Sequence, residues 1–409
     1  MKEYQELELQ NGIRIVHKEN PYTKIAHIGI MLDIGSRDEL PREQGLAHFW
    51  EHMAFKGTKK RKAYHIINRL ESLGGELNAY TTKEKICFYS SLLSAHVDKA
   101  VDLLTDITFR SIFPERQIQK ERQVILEEMA MYKDTPEDAI QDDFDEVVFE
   151  GHPLGKNIIG SDQTVRSFSK EDFYQFIDRN LDTSKIVISS VGNYSMSKIV
   201  RIVTKHMDDI PVFSTDRVRQ RYENYMPSHR KEKKELAQIH YGLGLPIYHL
   251  KHPKRIPFFL LCNILGGPAM NSRLNLSLRE NNGLVYGVEA NYTPYLDTGL
   301  FSIFFATDPK NLKRSKQLID KEIALLKNKK LGKVQLNNAK QQVKGQLAMS
   351  EENYNAMMLM MAKSTLDLGK IPAIDAIFDK IDEVTAEQLQ DIANEAFEMG
   401  QMSTILYSP

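Results

Sequence analysis

The segment Gly45-Leu46-Ala47-His48-Phe49-Trp50-Glu51-His52-Met53-Ala54-Phe55 carries two histidines four residues apart, with a glutamate directly before the second. Wound on a helix at about 100° per residue, Leu46, Phe49, Trp50 and Met53 share one side, while His48, Glu51 and His52 gather on the opposite one. Imidazoles at i and i+4 can converge on a single divalent ion, and the glutamate is placed to take a proton from a water held there. The order is His-x-x-Glu-His, the reverse of the His-Glu-x-x-His helix. A polar helix face that holds two histidines and an acid would read the same way, so the motif needs a third ligand.

That ligand should be a carboxylate on another element, because two imidazoles leave an ion underfilled. The helical segment that follows Pro114 offers Glu127 and Glu128. On the wheel, Glu121, Ile125, Glu128 and Tyr132 fall within about 60° of one another, and Glu127 points about 100° away from Glu128. Glu128 therefore sits on an apolar stripe, where an unpaired carboxylate is costly and a cation removes the cost. Glu121, two turns earlier on that side, could orient a ligating histidine. The expected metal ligands are His48, His52 and Glu128, with Glu51 as general base and Glu121 in support; a solvated acidic helix is the bland alternative.

These groups need elements to hold them. A hairpin is expected around Asn11-Gly12, and the alternation from Ile25 to Ile34 predicts a half-buried strand broken by Gly35-Ser36. One helix is expected from about Pro41 to Phe55 and a second from Lys62 to Leu73, stopped by Gly57 and by Gly74-Gly75. Strands near Glu76 to Thr81 and Lys85 to Leu92 follow. Then come a helix from Ser94 to Arg110 and the one from Pro114 to about Tyr132.

At 409 residues the chain exceeds what one core usually fills, which predicts two domains of about 200 residues each. Its 42% hydrophobic and 27% charged residues are ordinary for a globular protein, and a net charge of -1 argues against a nucleic-acid binder. Cys87 and Cys262 lie in apolar surroundings and read as buried free thiols, which suits a reducing compartment. No stretch reaches the length of a membrane span, and the first residues carry acids and no apolar signal region. A cytoplasmic protein without membrane or nucleic-acid partners is expected.

Periodicity fades between about Asp208 and Lys234, and the basic run from Arg217 to Lys234 reads as a solvated interdomain linker. Beyond it the sequence repeats. Residues Glu121 to Met131 overlay Ala339 to Met349 without a gap, and the strand and helix from Ser302 to Lys327 match those from Cys87 to Arg110. Two copies of one α+β unit account for this. In the overlay Gln346 replaces Glu128 and Ala339 replaces Glu121. The helix near Phe258 to Leu265 has no histidine, so only the first copy can do the metal chemistry.

With these residues in view, the chain resembles the insulinase and pitrilysin family of zinc peptidases, in the short two-domain branch that includes the β subunit of mitochondrial processing peptidase. The resemblance spans nearly the whole length. It rests on His48-Phe49-Trp50-Glu51-His52, on Leu77-Asn78-Ala79-Tyr80-Thr81-Thr82 with Glu84, and on Glu121-Arg122 with Val124-Ile125-Leu126-Glu127-Glu128. Also matching are His152-Pro153-Leu154-Gly155, Val191-Gly192-Asn193, Leu278-Arg279-Glu280 and Gly283-Leu284-Val285-Tyr286.

The fold implied is α+β, with two homologous α/β-roll domains, each a mostly antiparallel sheet packed with helices. Residues 1–212 would bind zinc, 213–230 would link, and 231–409 would form the second domain, without metal. The resemblance implies one Zn2+ per chain on His48, His52 and Glu128, and hydrolysis of internal peptide bonds in oligopeptides or unfolded segments by a metal-activated water. Arg279 and Tyr286 would reach the scissile peptide, with Tyr286 donating to the oxyanion and Arg279 holding the substrate. Leu77, Asn78, Ala79 and Tyr80 would form an edge strand to which a peptide substrate adds. A homodimer would complete its sites in trans. The glycine-rich loop of the processing peptidase α subunit is not evident, which sets presequence recognition aside. The alternative is a non-catalytic scaffold or binding subunit of the same fold, like the respiratory-complex core proteins, which typically lack the motif residues kept in this chain.

Overall fold

The computed structural model describes residues 4–409. The first sheet is built from β1 (Gln5–Glu8), β2 (Arg14–Glu19), β3 (Ile25–Leu32), β4 (Glu76–Thr81), β5 (Ile86–Leu93) and β6 (Ile186–Gly192), in the order β1-β2-β6-β3-β5-β4. The second comprises β7 (His229–Lys233), β8 (Ile239–Ile247), β9 (Val285–Pro294), β10 (Gly299–Thr307) and β11 (Ser403–Ser408), in the order β7-β11-β8-β10-β9. Each sheet is antiparallel except for one parallel pair, β2 with β6 and β7 with β11. Laid from the edge β4 or β9 inward, the two sheets have the same topology, as the internal repeat requires. The helices Glu115–Lys133 and Lys333–Glu351 are both 19 residues long and occupy the same place in the overlay.

The hairpin β1–β2 turns through Gly12, whose positive φ of 87° suits a residue without Cβ. The helix expected from Pro41 begins only at Leu46. A short 3-10 turn Pro41–Glu43 precedes it, and the chain reverses through Gly45 at φ 97°. A side chain there would meet the Ile159 carbonyl oxygen at 2.6 Å, so glycine is dictated by close approach as well as by backbone sign.

The two compact units are not contiguous in sequence. Among the described residues, unit 1 holds 4–130, 156–219 and 349–372; unit 2 holds 131–155, 220–348 and 373–409. Compared with the expected halves 1–212 and 231–409, each unit adds a segment from the other half. In unit 1 the helices Leu46–Ala54, Val97–Phe109, Lys170–Asn180 and Met196–Met207 pack on one face of the sheet. The opposite face, with Val16, Met31, Cys87, Val187 and Val191, is covered by the helix Tyr354–Leu368 through Met357, Met358, Met361 and Ala362. Unit 2 is covered reciprocally, since Ile140, Phe144, Val147 and Val148 of the helix Pro136–Val148 pack with Leu300, Ile405 and Tyr407. So β3, expected to be half-buried, is covered on both faces, and its run Ile28-Gly29-Ile30-Met31-Leu32 is buried throughout.

The basic run is exposed along much of its length, at Arg221, Lys231 and Lys233 among others, but its first two arginines are not solvated as expected. Arg217 and Arg219 are largely buried in unit 1, where both pair with Asp33 and Asp38. Asp33 also accepts from Lys85 Nζ at 2.7 Å, and Lys85 reaches Asp367 at 2.7 Å. Both cysteines are buried and unpaired. Among the described residues, no helix is long and apolar enough to cross a membrane.

Candidate metal centre

The helix Leu46–Ala54 is set by its apolar side. Leu46, Phe49, Trp50 and Met53 are all fully buried, with Phe49 edge-on to Phe173 at 5.3 Å and Trp50 edge-on to Phe88 at 6.2 Å. Its first turn is capped from outside the helix, as the Glu39 carboxylate accepts from the N–H groups of Gly45 at 2.9 Å and Ala47 at 2.8 Å. Anchored on one side and at its start, the helix presents His48, Glu51 and His52 on the other.

Glu128, on the helix Glu115–Lys133, meets these histidines. His48 Nε2 lies 3.9 Å from one Glu128 oxygen and His52 Nε2 lies 3.6 Å from the other, and the two rings are 4.5 Å apart between centroids. One ligand atom from each of His48, His52 and Glu128 falls within 4.8 Å of the others. Neither histidine–carboxylate separation is a hydrogen bond. Both approach the ligand-to-ligand edge of about 3.3 Å that follows from zinc–ligand lengths near 2.0 Å in a tetrahedron. Two imidazoles and one carboxylate, leaving a position for water, is the donor set of a catalytic zinc. Neighbouring Glu127 is exposed, as the wheel required.

The protonation states suit ligation. Burial, reinforced by His52, pushes His48 down to about 3, which leaves its ring neutral with a lone pair to give. His52 Nδ1 lies 2.9 Å from Glu121 Oε1. An ionised carboxylate only accepts, so Nδ1 carries the proton and Nε2 turns its lone pair toward Glu128. Burial works to raise Glu121, but hydrogen bonds from His52 and Lys56 hold it below the usual carboxylate range. Lys56 Nζ sits 2.7 Å from Glu121 Oε2. Glu128 is raised by burial, the electrostatic cost that a cation would remove. Glu51 is also raised by burial, against the hydrogen bond it accepts from Thr81 Oγ1 at 2.6 Å.

Lys56 was not singled out from the sequence, and Thr81 stood there only within the Leu77–Thr82 match, with no role assigned to it. Lys56 follows His52 by four residues, just past the C-cap Phe55 of the helix. Thr81 shares the strand face of Leu77 and Ala79 by period two. Neither type announces itself without the neighbour it serves.

Leu77, Asn78, Ala79 and Tyr80 lie on β4, at the outer edge of the first sheet and paired on one side only, with β5. Leu77 and Ala79 pack toward the helices and Tyr80 toward the opposite face. Arg279 and Tyr286 belong to unit 2, apart from the unit that holds His48. They lie together there, Arg279 in a single π-helical stretch Asn275–Glu280 with its guanidinium 5.5 Å from the Tyr286 ring, which is 89% exposed on β9. Where unit 1 has Glu128, unit 2 has Gln346, whose Oε1 accepts from Asn263 Nδ2 at 2.9 Å, a neutral pair with no need of a cation.

Among known proteins, the family model described as insulinase (peptidase family M16) matches residues 14–162, and that of the peptidase M16 inactive domain matches residues 167–343. An uncharacterized zinc protease of Bacillus subtilis (strain 168) is 34% identical over 399 residues, covering 95% of this chain and 94% of its own. One from Rickettsia felis is 33% identical over 406 residues, covering 97% and 96%. In fold the chain is similar to a protease from Helicobacter pylori, with a TM-score of 0.92 at 20% identity over 99% of each chain. It is likewise similar to a peptidase M16 inactive domain structure from Pseudomonas fluorescens, with a TM-score of 0.91 at 19% identity over 99% and 98%.

Proposed function

The chain belongs to the insulinase (M16) peptidase family, and from that premise we propose that it is a zinc endopeptidase of the inverted His-x-x-Glu-His type, cutting oligopeptides or unfolded segments. The observation that carries this reading is the convergence of His48 Nε2, His52 Nε2 and a Glu128 oxygen beside the Glu51 carboxylate. One zinc ion per chain, held by those three residues, would supply Lewis acidity to activate water and polarise the scissile carbonyl.

The chain's own groups do the rest. Glu51, neighbour to His52 on the helix, takes the proton that the attacking water releases and returns it to the leaving amine. Its carboxyl, raised by burial yet hydrogen-bonded by Thr81, is suited to both halves of that exchange. Glu121 fixes the His52 tautomer, and Lys56 keeps Glu121 ionised. The open edge of β4 gives an extended substrate a row of main-chain partners along Leu77 to Tyr80, which favours loose sequence preference. Tyr286 donates to the oxyanion and Arg279 holds the substrate backbone. We assign these two to the site of a second copy in a homodimer, and the buried free thiols support a reducing, cytoplasmic setting.

Replacing Glu51 by Gln is expected to leave zinc bound and abolish cleavage of a mixed peptide library; retained cleavage would remove Glu51 from the mechanism. A scaffold of the same fold would purify without stoichiometric zinc. Mixing dead Glu51→Gln protein with dead Arg279→Ala protein tests sharing of the site: regained activity means completion in trans, and continued silence argues against it.

A further inference from the structure

We propose that Thr81 is the positioning residue for Glu51, so that the strand offered to substrate also aims the base. The inference rests on the reading of Glu51 as general base. It starts from the hydrogen bond of 2.6 Å from Thr81 Oγ1 to Glu51 Oε2, a charge-assisted contact that occupies one carboxylate oxygen and leaves the other to receive a proton.

Local structure makes Thr81 suited to this. It is the last residue of β4, opposite Ile86 in register, and it faces the helix side with Leu77 and Ala79. Unlike the open edge that precedes it, the turn that follows is tied down on every side. Thr82 accepts a hydrogen bond at Oγ1 from the Lys85 N–H, and its own N–H donates to the Lys85 carbonyl. Ser36 and Arg37 donate their N–H groups to the carbonyls of Thr82 and Lys83. Arg37 pairs with Glu84 at 2.6 Å, and Lys83 Nζ donates to the Lys156 carbonyl at 2.6 Å. Gly35 approaches so closely that a Cβ there would lie 2.5 Å from the Lys83 and Glu84 backbone. A β-branched residue at the fixed end of such a strand has little χ1 freedom, so its hydroxyl is delivered to one place. Valine would fill the same volume and form the strand equally well, which isolates the hydroxyl as the group under test.

The experiment compares wild type, Thr81→Val, Thr81→Ser and Glu51→Gln, measuring kcat and KM on one peptide together with zinc affinity by competition with a chromophoric chelator. Thr81→Val is expected to lower kcat by roughly 10- to 100-fold, the loss that accompanies a misplaced catalytic group. Its KM and zinc affinity should stay within about twofold of wild type, and Thr81→Ser should restore kcat to within about threefold. Unchanged kcat in Thr81→Val overturns the proposal. So does a raised KM at constant kcat, which would make Thr81 part of the peptide lining, and so does loss of zinc, which would place its effect on the ligands. A wild type without zinc-dependent cleavage, or an active Glu51→Gln, would instead sink the reading of Glu51 on which the proposal stands.

Discussion

Replacing Glu121 by Gln should weaken zinc binding while leaving all three ligands in place. In the native arrangement one carboxylate serves two donors, His52 Nδ1 at 2.9 Å and Lys56 Nζ at 2.7 Å. The two donors sit on different oxygens, Oε1 and Oε2, and a glutamine in the same place offers an accepting oxygen at only one of those positions and an NH2 at the other. The ammonium claims that oxygen, because a hydrogen bond to a charged group outweighs one to a neutral imidazole by roughly a factor of two. The amide NH2 then faces His52 Nδ1 and forces the other tautomer, with a proton on Nε2 where the lone pair is needed. Lost support of this kind typically costs 10- to 100-fold in metal affinity, or about 1.4–2.8 kcal/mol. Competition titration with a chelator dye measures it directly. The double variant Glu121→Gln with Lys56→Met should recover part of the loss, since the oxygen is then free to turn toward His52. A zinc affinity within about twofold of wild type in Glu121→Gln would refute the orienting role, and an absence of recovery in the double variant would refute the competition with Lys56.

Zinc in excess at 100 times its Kd should raise stability by about 2.7 kcal/mol, and this gain should vanish in Glu128→Ala, as read by the shift in Tm on adding zinc. Arg219→Ala should destabilise unit 1 by about 3 kcal/mol in urea, because Asp38, with a 1% exposed side chain, keeps only Arg217 as a counter-charge. The same cluster predicts an acid limit. Burial opposes ionisation of Asp33, yet Lys85 and Arg219 hold its carboxyl below the usual range. Its stabilising contribution is therefore full above about pH 4 and disappears as pH falls through the lower folded value, so the acid side of the stability curve should be steeper in wild type than in Arg219→Ala. Met358→Ala removes a fully buried side chain and should cost about 2–5 kcal/mol; hydrogen exchange should then rise in β3 and β6 of unit 1, although Met358 lies in the second half of the sequence.

What the sequence made legible was local or periodic. The helical wheel separated Glu128 from Glu127 because the helix is regular through Ala130, and the gapless overlay located two 19-residue helices at matching places. The helix start was misplaced by five residues because Pro41 suits a 3-10 turn as well as a first α turn, and only the approach of Ile159 and Gly160 explains why Gly45 reverses the chain. Arg217 and Arg219 read as solvent-facing because their counter-charges, Asp33 and Asp38, are some 180 residues away in sequence and carry no pattern of their own. Thr81 was quoted only as part of the Leu77–Thr82 match and given no role, for the related reason that a threonine at a strand end is ordinary until a carboxylate is found beside it.

The exchanged helices were the least legible feature, and they change how the repeat should be understood. A duplicated α+β unit would by itself cover its sheet with its own helices. Here the chain leaves unit 1 at Ala130 for the helix Pro136–Val148 and re-enters it at Lys156, and it leaves unit 2 at Ala348 for the helix Tyr354–Leu368 and re-enters it at Ala373, so each sheet receives its outer cover from the other half of the sequence. The covering residues Met357, Met358 and Met361 shield Met31, Cys87 and Val187 on β3, β5 and β6, on the face of the sheet opposite the helix Leu46–Ala54. Methionine tolerates irregular fits, which suits a helix that arrives from a distant part of the sequence to seal a face it was not adjacent to. In the second copy Asn263 donates to Gln346 where the first has Glu128, and the cover that the second half gives the first sheet involves neither residue. The first half of the chain therefore depends on the second, which supplies one wall of the sheet whose other face packs the helix carrying His48, Glu51 and His52.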